Sequence, residues 1–262
     1  MRRVPRVKLE SLCRKVVDFE QPFVISQGVA GWPALSSASR RWSLDNLANR
    51  TSLMEKIVPV EFFGNYMNDD MQILHVEMAD LVSYFAKEEK GAVGSSSSKN
   101  RNGGGGADIG HLYLAQYDLK DLPELQEDCC GVPKALLEHV GRGLEQRSNV
   151  WLGKAGAMSP AHTDPFHNLL CQVKGSKRVV LHPFDIGEKY LYPAKGTTQP
   201  NTSLVDGDLD DADPARFPLV VNAMQHAVEA ILQEGDALFI PKKHWHHCTS
   251  LELSFSVNYW WL

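Results

Sequence analysis

The sequence predicts a mainly β fold, with short strands closing into a sandwich or barrel and helices flanking it. Three observations predict this. After Trp151, short β-forming runs alternate with Gly, Pro and Asp turns. Before Trp151, helix and strand signals are mixed, as expected of a supporting cap. The 262 residues fit one large domain or one and a half, no internal repeat divides the chain, and it is read as one domain. Within it, 1–150 form an α/β cap and support, and 151–262 form the β core.

Taken in order, Pro22-Phe23-Val24-Ile25 is an apolar run ending at Gly28 and reads as a strand. Trp42 to Leu47 has helical spacing, with Ser43 as N-cap. Lys56 to Phe63 is rich in β-formers, and its Pro59 assigns it to a sheet edge. From Met78 to Glu89, Leu81, Val82 and Phe85 fall on one face with charges between them, predicting an amphipathic helix. Gly91 to Gly106 (GAVGSSSSKNRNGGGG) is low-complexity and buries too little apolar surface to offset its ordering entropy. It reads as a flexible loop within the domain. Leu112 to Gln116 reads as a strand, and Ala135 to Gln146 as a helix with Leu136, Leu137 and Val140 on one face. The core strands are Asn168–Val173, Lys177–Leu181, Ala237–Ile240 and Leu253–Trp261. Lys174-Gly175-Ser176-Lys177 between the first two is a hairpin signal. The acidic, turn-rich stretch Thr197 to Phe217 spans the outside. The cupin-type jelly roll is one architecture of this kind.

A net charge of −5 provides no basic field, which argues against direct nucleic-acid binding. Five cysteines form an odd set without regular spacing, and adjacent Cys129-Cys130 is not a CxxC pair, so reduced thiols are expected. No apolar run approaches the ~18 residues of a membrane span. No apolar segment of the secretory type follows the first basic residues, so a cytoplasmic or nuclear location is expected.

His162-Thr163-Asp164 is a His-x-Asp pair. In extended chain, residues two apart share a face, so one imidazole and one carboxylate project together. The turn Gly235-Asp236 and the apolar strand Ala237 to Ile240 deliver a second cluster, His244-Trp245-His246-His247. Two imidazoles and a carboxylate make a facial triad, which suits non-haem Fe(II) and leaves coordination positions open. If the strand continues, His244 and His246 share a face and His247 points away. Spacing leaves the choice between His244 and His246 open. A chelating keto acid with a second carboxylate needs a buried cation, and Lys177 provides one if it faces inward with Val179 and Leu181. Asn168, Tyr113 and Ser159 are further donors.

These residues carry a family resemblance. Ser-Pro-x-His-x-Asp at Ser159 to Asp164, then Asn168, Gly-x-Lys at Gly175 to Lys177, and Gly-Asp-x-Leu-Phe-Ile-Pro-x-x-x-Trp-His at Gly235 to His246 resemble the jumonji-C 2-oxoglutarate oxygenases. The ending Leu-Ser-Phe-Ser-Val-Asn-Tyr-Trp-Trp, together with Tyr113-Leu114-Ala115-Gln116 and Pro59-Val60-Glu61, is similar to the jumonji-domain-containing protein five type. The resemblance runs from about Pro22 to the C-terminus and is densest after Trp151. It implies a double-stranded β-helix core. It also implies a metal triad of His162, Asp164 and His246, with Tyr113, Ser159, Asn168 and Lys177 holding 2-oxoglutarate. Fe(2+), 2-oxoglutarate and O2 are the implied cofactor and co-substrates.

The implied activity is hydroxylation of a protein or peptide side chain, foremost arginine. Glu61 then faces a substrate guanidinium, and Trp260 stacks on it. Lysyl hydroxylation or N-methyl-lysine demethylation is the alternative within enzymes. A catalytically idle metal-binding module is the alternative outside them. His244 stands where the type has tyrosine, and His167 adjoins Asn168, so either could tune the site.

Overall fold

The computed structural model describes residues 1–12, 18–63, 71–94, 111–140 and 145–262. Its strands begin with β1 (Arg2–Arg3), β2 (Arg6–Val7), β3 (Phe23–Ile25), β4 (Ile57–Phe63), β5 (Met71–Glu77) and β6 (His111–Asp118). The core then comprises β7 (Glu145–Gly153), β8 (Met158–His162), β9 (His167–Lys174), β10 (Lys177–His182), β11 (Val228–Leu232), β12 (Ala237–Ile240), β13 (Trp245–Ser250) and β14 (Ser254–Trp261).

Two sheets result. The larger has the order β2-β3-β12-β9-β14-β7-β6-β4-β5, and the smaller β1-β11-β10-β13-β8. The eight core strands divide equally between them, and every pairing among these eight is antiparallel. This is a jelly-roll core with helices against it, as the turn-punctuated strands predict.

The period of two along β14 separates two environments. Phe255, Val257, Tyr259 and Trp261 point outward into a core shared with Trp32, Leu47, Leu81 and Phe85 of the N-terminal half. Ser254, Ser256, Asn258 and Trp260 take the other face, between the sheets, and are also buried. Across the smaller sheet, Val179, Leu181 and Cys248 pack inward against Leu170, Leu238 and Ile240. Val180 and Trp245 pack outward beneath Leu191, Val220 and Ala223. The N-terminal half thus closes the back of the larger sheet, and the 184–226 region closes the back of the smaller. The space between the sheets is shared by this inward apolar cluster and the polar inner face of β14.

Several sequence expectations hold. Ser43 caps the helix Leu44–Ala48, accepting from the Asn46 N–H. The amphipathic stretch forms the helix Met78–Gly94. Residues 95–106 of the low-complexity stretch lie outside the described residues. Thr197 to Phe217 does run outside, over the smaller sheet, where Val205, Leu209 and Phe217 contribute to its outer core.

Other expectations need correction. The helix expected over Ala135 to Gln146 is Lys134–Val140, and β7 already begins at Glu145. Leu136 and Leu137 set a helical period that stops short of the strand. β4 lies inside the larger sheet, between β5 and β6, although it pairs with β6 only from Glu61 onward. Pro59 therefore has β5 alone beside it, and its missing N–H costs no ladder bond there. Lys174 to Lys177 is not a hairpin, because β9 and β10 belong to different sheets. It is a corner at which the chain changes sheets. Gly175 makes this possible with φ +68°, and a Cβ there would lie 2.1 Å from the Leu253 carbonyl oxygen.

Candidate active site

One face of the inter-sheet space gathers the predicted residues. Among the described residues, His162, Asp164 and His246 form a group whose ligand atoms all lie within 4.8 Å of one another. His246 Nε2 stands 3.5 Å from Asp164 Oδ2, and the two imidazole centroids are 4.1 Å apart. Each ring is oriented by its own backbone. His162 Nδ1 lies 2.8 Å from the Pro160 carbonyl, and His246 Nδ1 lies 3.0 Å from the His244 carbonyl. A carbonyl only accepts, so both Nδ1 atoms carry the proton and both Nε2 lone pairs are free. Such an arrangement serves a metal ligand.

Local sequence accounts for the convergence. β8 and β13 pair His246 with His162 and Cys248 with Ser159, with a register shift between. Residues three apart on a regular strand face opposite ways, so it is this bulge that turns both Ser159 and His162 inward. Past the end of β8, Asp164 is held by its carbonyl, which accepts from Lys243 N at 2.8 Å. Thr163 is clamped to Asn201 in both directions. Lys243 has φ +67°, and this break precedes β13.

Burial makes the group unfavourable for protons and favourable for a cation. Burial, then the neighbouring His162 ring, depress the pKa of His246 well below the usual imidazole range. Burial raises that of Asp164, partly offset by His162. A divalent ion would restore the carboxylate's charge partner and needs neutral imidazoles, which His246 already provides.

The surrounding cavity is lined by Tyr113, Ser159, Asn168 and Lys177 together with Trp151, Asn258 and Trp260. Lys177 is 2% exposed, and among the described residues no carboxylate lies within ion-pair distance of it. Burial pushes its pKa down to about 8. An ammonium this deep without a counter-ion is costly, and a ligand carboxylate relieves the cost. Tyr113 is buried, with its phenol hydrogen-bonded to Ser159. Asn168 Nδ2 approaches Asp164 Oδ2 at 3.5 Å. This donor set fits Fe(II) chelated by a keto acid with a second carboxylate: nitrogen and oxygen ligands at one end, a lone cation at the other.

The remaining expectations divide. Trp260 lines the cavity, stacked on Phe166 at 6.0 Å, and its buried side chain acts on Asp164, partly offsetting the rise that burial gives the carboxyl pKa. Glu61 lies outside the cavity lining, directly across from Tyr113 in the next strand. Burial alone raises its pKa to about 7. His244 contributes its carbonyl to His246 and lies just before β13 begins. His247 is on the outer face, hydrogen-bonded to Thr249. His167 stacks on Phe239 and accepts from Lys242 N, on the side of β9 away from the cavity. Sequence reasoning missed Trp151, Cys248 and Asn258. The polar–apolar alternation of Ser254 to Trp261 held a signal for Asn258.

Trp245 ties this site to the fold. It precedes His246 and is fully buried, with its indole against Gly187 in the helix Phe184–Tyr190. A Cβ on Gly187 would lie 2.1 Å from Trp245 Cδ1. Gly187→Ala is expected to displace the indole and, with it, His246. Urea denaturation should show a loss of about 1–3 kcal/mol, and calorimetry should show weaker Mn(II) binding.

Comparison with known proteins agrees with this geometry. A family model described as a cupin-like domain matches residues 9–262. Lysine-specific demethylase JMJ30 of Arabidopsis thaliana is 36% identical over 97% of this chain and 53% of its own length. Jumonji C domain-containing protein 5 of Drosophila melanogaster is 34% identical over 97% of this chain and 57% of its own. Lysine-specific demethylase 8 of Danio rerio is 35% identical over 99% of this chain and 58% of its own. The chain therefore spans somewhat more than half the length of these relatives.

Proposed function

We propose, from the premise that the chain belongs to the cupin-like domain family in its jumonji-C branch, that it is an Fe(II)- and 2-oxoglutarate-dependent oxygenase acting on a protein side chain. The observation that carries this reading is Lys177, a buried ammonium without a counter-ion in the same cavity as the His162, Asp164 and His246 group. A metal-binding module with no catalytic role has no use for such a cation.

His162, Asp164 and His246 would hold the iron on one side. Fe(II) with 2-oxoglutarate and O2 supplies the oxidising power to insert one oxygen atom into a substrate C–H bond, with succinate and CO2 as co-products. The chain's own residues bind and orient. Lys177 neutralises the distal carboxylate of 2-oxoglutarate, and Tyr113, Ser159 and Asn168 donate hydrogen bonds to its oxygens. The apolar walls at Leu170 and Ile240 exclude water from the chelate.

Peptidyl arginine is the proposed substrate. Glu61 is a desolvated carboxylate with no ion pair among the described residues, and a guanidinium would provide one. Trp260, in the cavity lining, offers an aromatic face on which a guanidinium would stack. Demethylation of N-methyl-lysine is a second reading, favoured by the names of the Arabidopsis and zebrafish relatives. A nuclear or cytoplasmic location goes with protein substrates of either kind. No helix among the described residues is long and apolar enough to cross a membrane.

The test is mass spectrometry of arginine peptides and methyl-lysine peptides incubated with protein, Fe(II) and 2-oxoglutarate. A mass gain of one oxygen on arginine is the expected result. Formaldehyde release with loss of a methylene from lysine would replace arginine with methyl-lysine. Neither product, and no succinate, would overturn the oxygenase reading.

A further inference from the structure

The inner faces of β7, β14 and β9 carry a line of hydrogen bonds leading to the metal group. The Trp151 indole N–H donates to Asn258 Oδ1 at 2.8 Å, and Asn149 Nδ2 donates to the same oxygen at 3.1 Å. Asn258 Nδ2 donates to Asn168 Oδ1 at 3.1 Å. Asn168 Nδ2 then points to Asp164 Oδ2. Both amides are buried, Asn258 at 1% exposure and Asn168 at 5%.

The ends of this line fix its direction. An indole N–H can only donate, and an ionised carboxylate can only accept. Each amide between them must therefore present its oxygen toward Trp151 and its nitrogen toward Asp164. If Asn168 were flipped, its oxygen would face a carboxylate oxygen, and Asn258 would lose its acceptor. Buried polar groups left unmatched in this way are costly.

We propose that Asn258 is a positioning residue, locking Asn168 as a donor toward Asp164 and the cavity so that the carboxylate ligand and the co-substrate donor keep one arrangement. The co-substrate half of this rests on the oxygenase reading, whereas the half concerning Asp164 needs only that the group binds a divalent cation.

Asn258→Ala, Asn258→Asp and Trp151→Phe, made in the full chain, separate these roles. Mn(II) binding is measured by calorimetry, followed by 2-oxoglutarate binding to the Mn(II)-loaded protein and melting temperature. Asn258→Ala should weaken Mn(II) binding about tenfold or more, and 2-oxoglutarate binding with it. Its KM for 2-oxoglutarate should rise more than kcat falls. Asn258→Asp keeps the shape and the acceptor but, when ionised, cannot donate to Asn168, so it should match Asn258→Ala. Trp151→Phe should act in the same direction but less strongly, because Asn149 still donates. If Asn258→Ala fails to fold, the other two variants decide. Wild-type Mn(II) affinity in the folded variants would overturn the proposal. Wild-type protein that takes Mn(II) but not 2-oxoglutarate would overturn the oxygenase reading and leave the lock judged on Mn(II) alone. Wild-type protein that takes neither would overturn both.

Discussion

Lys177→Met is expected to remove 2-oxoglutarate binding at ordinary concentrations while leaving the metal site in place. Breaking one side of a buried ion pair costs about 3–5 kcal/mol, so calorimetry on Mn(II)-loaded protein should show a dissociation constant raised more than about a hundredfold. Mn(II) affinity should stay close to that of the wild type, because Lys177 is not one of the three residues whose ligand atoms converge. The protein without ligand should become more stable, since the buried ammonium has no counter-ion among the described residues. An unchanged 2-oxoglutarate affinity would remove the main support for the oxygenase reading.

The same residue sets a pH dependence. In the protein without ligand, burial lowers the Lys177 pKa from 10.5 to about 8. Below pH 8 the ammonium is present and 2-oxoglutarate affinity should be flat. Above pH 8 the carboxylate must first draw a proton back onto the amine, and affinity should fall by about tenfold per pH unit. Stability without ligand runs the other way. The folded chain holds fewer protons than the unfolded chain between pH 8 and 10.5, so the penalty of the buried cation is full below pH 8 and lifts as pH rises through that window. Lys177→Met should abolish both slopes.

How much of this was legible depended on the range of the signal. Strands after Trp151 were readable because each is a short apolar run bounded by turn residues, a local pattern. Which strands pair was not local, and Lys174 to Lys177 shows the difference. A Gly-containing turn between two strands looks the same whether the strands pair or part to different sheets, and here they part. The triad residue types were legible, but the choice between His244 and His246 rested on resemblance to a family. The physical reason for that choice is the left-handed turn at Lys243, which starts β13 only at Trp245. Ser159 and His162 could not both be placed inward from a period of two, because the bulge between β8 and β13 exists only once the strands are paired. Asn258 was hidden differently. Its strand is buried on both faces, so a polar residue there signals the inner face only when the outer face is known to be apolar.

Loss of the metal group should have the largest effect on turnover. His162→Ala, Asp164→Ala and His246→Ala are each expected to reduce succinate formation to background. Loss of a residue that merely orients a ligand costs about 10- to 100-fold in metal affinity, so loss of a ligand itself should exceed that in Mn(II) calorimetry. Folding should survive. The unliganded group gains little from its own electrostatics, with burial holding His246 away from its charged form and Asp164 toward its neutral one. Melting temperatures without metal should therefore stay near wild type, while the rise that Mn(II) gives the wild-type protein should vanish. His244→Ala is the informative contrast. Its backbone carbonyl, which orients His246, remains after the side chain is removed, so metal affinity and succinate formation should persist. If His244→Ala fell as far as His246→Ala, the His244 side chain would itself have a part in holding the metal. If the three triad variants bound Mn(II) as the wild type does, the convergence of these side chains would have no role in holding metal.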